Sequence, residues 1–287
     1  MNTYIFPLSA EDCVDTDDLD VDVLDLLKKR GRIFSCTPLQ NISFRRSDLR
    51  KFNDLLANDI LKHESNQSIK YNATFNRVDT NSTQSFLKIS VEKCQNNRAL
   101  GVVYEGLFFT WKLNDSGDQN DVNLPLLYCI GNQRIVNLIN SVIERQFSCT
   151  ISATIFSQSE FKWLVVLALQ HITHTPKDIQ LVYEIPRIES KFSFFVSFET
   201  LKDIWKRIRT ETEEESNNIE YGEVASLHAA FEEHVINTYG VDLTHFHLKM
   251  VSIPGYLTLD VSGKVQISKN ELFDFFYRLM NDAMLLR

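Results

Sequence analysis

The chain has 287 residues and a formal net charge of −8, a length suited to one large domain or two modest ones. Hydrophobic residues make up 44% and charged residues 24%, ordinary globular usage that speaks against a disordered chain, and no apolar run reaches the ~18 residues of a membrane span. The five cysteines, Cys13, Cys36, Cys94, Cys129 and Cys149, are odd in number and lack C-x-x-C spacing, which argues against a disulfide framework or a zinc site and for reduced thiols in a cytosolic or nuclear protein.

Glu11 to Asp25 carries eight acids and no base. It reads as a solvated tail, unlike the basic start of a secretory signal, and ends in a short helix where Val21, Leu24 and Leu27 share a face. The charge then reverses. Lys28, Lys29, Arg30, Arg32, Arg45, Arg46, Arg50 and Lys51 stand against Asp48 alone, a net of +7. Such a cluster is either a solvated basic face or a phosphate-neutralising patch for DNA. Ile33–Cys36 and Ile42–Phe44 are expected as strands around the Thr37-Pro38 turn, and Ser47 as the cap of a helix carrying Leu49, Phe52, Leu56 and Ile60 inward.

Alternation predicts strands around Ile69–Phe75, Phe86–Val91 and Gly101–Lys112, with a polar surface loop over 114–120. Leu124–Ile130 reads as a nearly wholly apolar strand. Asn132 is placed to cap a helix whose Ile135, Leu138, Ile139, Val142, Ile143 and Phe147 form an apolar stripe. Cys149–Ile155 is β-branched and suits a strand, and Cys129 and Cys149 are expected as small core residues.

Ser157 and Glu160 match a capping box ahead of a helix that is apolar nearly all round. Gln180–Glu184 and Lys191–Phe198 follow as strands, with Phe192, Phe194, Val196 and Phe198 on one face. Next come a short helix with Leu201, Ile204, Trp205 and Ile208 and a polar loop from Glu211 to Glu220. A helix over Glu223–Tyr239 stops at Gly240. A long strand is expected over Val241–Ser252, a hairpin around Ser262-Gly263, and a last helix over Lys269–Leu286. Strands outnumber helices and are joined mostly by turns, so the fold class is α+β, a mostly antiparallel sheet with helices on one face. An acidic tail over 1–23 is expected to precede α+β lobes over 24–156 and 157–287.

No motif for chemistry emerges. Phosphate-binding glycine loops, a G-x-S-x-G elbow and H-E-x-x-H are all missing. His171 and His174 lie near an expected helix end. His245 and His247 alternate on one expected strand, which a polar sheet face explains better than a metal. No cofactor is expected, and a surface role outranks catalysis.

Leu26-Leu27-Lys28-Lys29, Ser35-Cys36-Thr37-Pro38-Leu39, Phe44, Leu124-Pro125-Leu126, Gly131 and Phe147-Ser148-Cys149 form an ordered set of short matches. Tyr183-Glu184-Ile185-Pro186, the strand and helix holding Phe194 and Trp205, and Gly263-Lys264-Val265 continue it. In order and spacing the set resembles the centromere protein L family of the constitutive inner-kinetochore network. The resemblance implies a non-enzymatic nuclear scaffold at the centromere with a curved antiparallel sheet. It implies a heterodimer with centromere protein N, binding to centromere protein C and neighbouring subunits, and a part in linking centromeric chromatin to the kinetochore in mitosis. It also implies pairing through C-terminal sheet, which maps onto Tyr256, Leu257, Leu259, Val265 and Ile267 as an apolar strand edge open to a partner strand. The alternative is a stand-alone DNA-binding module on residues 28–51, screened by the acidic tail.

Overall fold

The computed structural model describes residues 5–6, 21–40, 42, 45–62, 68–79, 85–96, 98–109, 121–122, 124–174, 176–211, 219–269, 272 and 276. These fall into two units. The N-terminal unit is chiefly Asp17–Thr154 with Ser262–Lys264, and the C-terminal unit chiefly Ile155–Val261 with Val265–Leu279. A two-residue strand, Ile5–Phe6 (β1), opens the described chain and belongs with the C-terminal unit.

The N-terminal unit runs α1 (Val21–Lys28), β2 (Gly31–Cys36), β3 (Leu39–Gln40), α2 (Arg46–Leu61), β4 (Ile69–Asp79), β5 (Ser85–Gln95), β6 (Arg98–Phe109), β7 (Asp121–Val122), β8 (Leu126–Gly131), α3 (Gln133–Phe147) and β9 (Ile151–Ala153). Its sheet has the order β2-β8-β6-β5-β4, every pair antiparallel. Residues Phe34 to Cys36 of β2 also pair with β9. Two register shifts between β5 and β6, at Val91/Glu92 and Lys93/Cys94, are the bulges that bend such strands. The helix α3 forms where its stripe predicts. The Asn132 side chain accepts the Arg134 N–H at 2.9 Å, which satisfies one of the free first-turn donors. Helices α2 and α3 lay Leu56, Ile60, Ile139, Ile143 and Phe147 against Phe34, Tyr71, Phe75, Ile89, Tyr104 and Phe108. Phe52 meets the Phe147 ring edge-on at 4.9 Å.

The C-terminal unit runs α4 (Gln158–His171), β10 (Asp178–Ile185), β11 (Ser190–Ser197), α5 (Phe198–Glu211), β12 (Ile219–Glu220), α6 (Tyr221–Tyr239), β13 (His247–Ile253), β14 (Leu257–Asp260) and β15 (Lys264–Ile267). Its strands pair antiparallel in the order β11-β10-β13-β14-β15, and β1 pairs with β12. The Ser157–Glu160 capping box closes the start of α4. Phe161 and Trp163–Leu169 are all buried, as an all-round apolar helix requires. It packs on β13, with α5 and α6 against it. Gly240 ends α6 at φ 69°, a left-handed position that suits glycine. Among the described residues no helix is long and apolar enough to cross a membrane.

The α+β class with antiparallel sheet holds. Four local expectations do not. Arg45, not Ser47, precedes α2, and no side chain caps it. Leu39–Gln40, not Ile42, forms the strand after Thr37-Pro38, pairing with Asp121–Val122; residues 43–44 lie outside the described ones. The helix of Leu201 and Trp205 begins at Phe198, a residue expected at the end of the strand before it. The stretch Val241–Ser252 begins with a 3-10 turn, Leu243–His245. The Asp242 carboxylate accepts both the N–H and the hydroxyl of Thr244, at 3.0 and 2.6 Å, and this local capping outcompetes a ladder. The strand therefore starts at His247. The acidic stretch up to Asp20, the loop over 114–120 and residues 212–218 lie outside the described residues. So does the last expected helix, apart from Lys269, Leu272 and Phe276, the last two of which are buried.

Candidate partner-binding edge

The stretch expected to be a bare edge is interior. In β14, Met250 to Ile253 of β13 pair on one side (Ile253↔Leu257, Val251↔Leu259) and β15 pairs on the other (Leu257↔Ile267, Leu259↔Val265). Tyr256, Leu257, Leu259, Val265 and Ile267 are each at most 7% exposed. Tyr256 also donates its hydroxyl to the His174 carbonyl. The alternation of apolar residues that suggested an edge instead reports a strand with buried neighbours, because main-chain donors and acceptors are invisible in a side-chain pattern.

At one end of the strand order lies β11. It pairs with β10 over its whole length, from Asp178↔Ser197 to Ile185↔Ser190. No described strand lies along its other side. The turn between the two strands holds Arg187 at φ 80° and Glu189 at φ 52°. Phe195 on β11 and Ile188 in the turn are each 66% exposed. On the opposite face Phe192 stacks on Tyr183 at 5.8 Å and meets Phe246 edge-on at 4.9 Å. Phe194 lies 5.9 Å from Tyr239, itself 60% exposed. An edge with free backbone groups and aromatic side chains on both faces can take up an extended segment. Main-chain hydrogen bonds then supply affinity and alternate side chains supply register.

The eight basic residues expected to face DNA are distributed over separate elements. Lys28 ends α1 and is half-buried. Lys29 pairs with Glu105 at 2.8 Å. Arg30 and Arg32 meet Lys264 around one recess. Arg45 precedes α2, Arg50 and Lys51 lie on it, and Lys51 pairs with Asp48 at 3.4 Å. Arg46 is the first residue of α2. Helix α2 packs chiefly on β4, four strand positions from β2, a separation of roughly 19 Å at ~4.8 Å per strand.

The histidines do not converge. His171 ends α4, where burial pulls its pKa down to about 4. His245 sits in the 3-10 turn, 3.3 Å from Asp242, so it does not share a strand with His247. His228 is buried under α4 beside the Lys162 carbonyl, 3.2 Å away, and burial pulls its pKa to about 4 as well. Among the described residues no group of three or more His, Cys, Asp and Glu could hold a metal ion.

Three features escaped the sequence reading: the β11 edge, the recess, and a buried polar knot in the N-terminal unit. In the knot the Tyr104 hydroxyl lies 3.3 Å from both the Cys129 sulfur and the Asn140 carbonyl oxygen. Burial pushes the Cys129 thiol up to about 12, so it stays protonated and inert. The signal for the knot was available: Asn140 is a polar residue within the apolar stripe of α3.

A family model described as centromere protein L matches residues 25–283. No curated protein matches the chain.

Proposed function

The chain belongs to the centromere protein L family and is thereby a protein of the centromere and kinetochore, and on that premise we propose that it works in the nucleus as a non-enzymatic scaffold, pairing with centromere protein N by strand addition along β11. The observation that carries this reading is the terminal position of β11 together with the 66% exposure of Phe195. Burying one phenylalanine is worth about 1.5–3 kcal/mol, and an eight-residue ladder adds register. The heterodimer then presents a composite surface to centromere protein C and neighbouring subunits of the network. The contact is a property of the edge, so it needs no residue of β14 or β15.

Hydrogen exchange tests this directly. On adding the centromere protein N partner, amides of Ser190–Ser197 should gain protection while those of β14, already paired on both sides, should stay as they were. Unchanged exchange along β11 in a formed heterodimer would sink the assignment. A stand-alone DNA-binding module on residues 28–51 is the weaker reading, since its cations are spread over α1, β2 and α2.

A further inference from the structure

A recess of about 310 Å³ opens in the N-terminal unit, lined by the start of β2, the end of β8, the first turns of α3 and Lys264. Arg32 stands opposite Cys129 in the β2–β8 ladder, and Arg30, just before β2, lines the same recess. Cys129 and Val136, both nearly wholly buried, contribute to the lining, so the hollow reaches below the surface. Gln133 also lines it at the first position of α3, where a backbone N–H has no acceptor within the helix. None of the described lining residues is Asp or Glu. Arg30 and Arg32 bring two guanidinium groups, and Lys264 an ammonium group, to one hollow, where an anion is attracted by each.

We infer that this recess binds a phosphate monoester dianion carried on a partner protein's side chain, a phosphoserine or phosphothreonine. A monoester has a charge of about −1.5 to −2 at neutral pH and three acceptor oxygens, and arginine presents paired donors to them. The volume equals about ten waters at ~30 Å³ each, room for the phosphoryl group, its ester oxygen and the adjoining methylene. A duplex offers singly charged diesters on a convex backbone, which rests on a rim and does not reach Cys129 and Val136. This inference is independent of the β11 edge.

The full chain is titrated with N-acetyl-phosphoserine amide, inorganic phosphate and a short DNA duplex, with the amides of Gly31, Gly131 and Gln133 followed by NMR. The phosphoserine probe should shift these amides saturably. It should bind more tightly at about pH 7 than at about pH 5.5, as the second ionisation near 6 completes. Across that range the Cys129 thiol remains neutral. Arg32→Gln should weaken binding about tenfold, and so should Arg30→Gln, whose exposed side chain can change without disturbing the fold. Three outcomes overturn the inference: no shift at those amides, a duplex that binds there with affinity independent of pH, or inorganic phosphate binding more tightly than the phosphoserine probe.

Discussion

Strands β14 and β11 of the C-terminal unit carry similar side chains in opposite situations. Leu257 and Leu259 of β14 lie between two paired strands and are at most 2% exposed. Phe195 of β11 stands on a strand paired along one side and is 66% exposed. An apolar residue in the first position stabilises the fold; in the second it adds little to the monomer and is available to another chain. The strand at one end of the N-terminal unit's sheet, β4, sharpens the point. It turns Tyr71, Ala73 and Phe75 inward and exposes Lys70, Asn72, Thr74 and Asn76, the polar and charged dressing that keeps an edge from pairing. Terminal position alone therefore does not mark a docking edge. The contact proposed for β11 rests on terminal position combined with exposed aromatics.

The largest test of this contrast is Leu257→Arg. It places an unpaired charge among β13, β15 and the helices behind them, and should cost about 4 kcal/mol or more in urea unfolding. A stable, folded variant that merely loses its partner would restore β14 as the interaction surface. Next is Phe195→Asp, expected to leave the urea midpoint nearly unchanged while weakening partner binding by about 2 kcal/mol, roughly thirtyfold, in titration calorimetry. Unaltered affinity would remove Phe195 from the interface.

Acidification separates the two situations by a different route. His228, buried against α4, has its pKa pulled by burial to about 4, below the value of ~6.5 in an unfolded chain. The unfolded state therefore takes up the proton first. The stability is complete above about pH 6.5 and is lost as pH falls toward 4. At pH 5 the loss should approach about 2 kcal/mol, 1.36 kcal/mol for each of ~1.5 pH units. His228→Gln should remove its share of the slope and leave that of His171, whose pKa burial also lowers to about 4; an unchanged slope would place the titration elsewhere. The smallest effect concerns the turn that presents β11. Arg187 holds φ 80°, a left-handed conformation that costs a side chain about 1 kcal/mol, so Arg187→Gly should raise the melting temperature slightly. No change, or a fall, would show that unfolded-state entropy offsets the relief.

Much of the architecture is readable in one dimension because its causes are local. The α3 stripe, the Asn132 cap, the Ser157–Glu160 box and the Gly240 stop each depend on residues within a few positions of one another. The expectation over Val241–Ser252 erred where Asp242 offered Thr244 a local bond that periodicity does not register. The site was less legible. Alternation along Tyr256–Ile267 correctly reported a buried strand face, but which strand edges stay unpaired depends on strands distant in the chain. β10 pairs with β13 across more than 60 positions, from Gln180 to Ser252, and that pairing leaves β11 at the margin.

By itself the sequence determined the element types, the side-chain faces and, through an ordered set of short matches, the family. Only the tertiary structure decided that β14 is enclosed, that β11 is open, and that Arg30 and Arg32 meet Lys264 while Arg50 and Lys51 remain on α2. The reason is physical. Side-chain periodicity encodes burial of a face, whereas strand order and the convergence of charges are set by long-range backbone pairing, which leaves no local trace in composition or spacing.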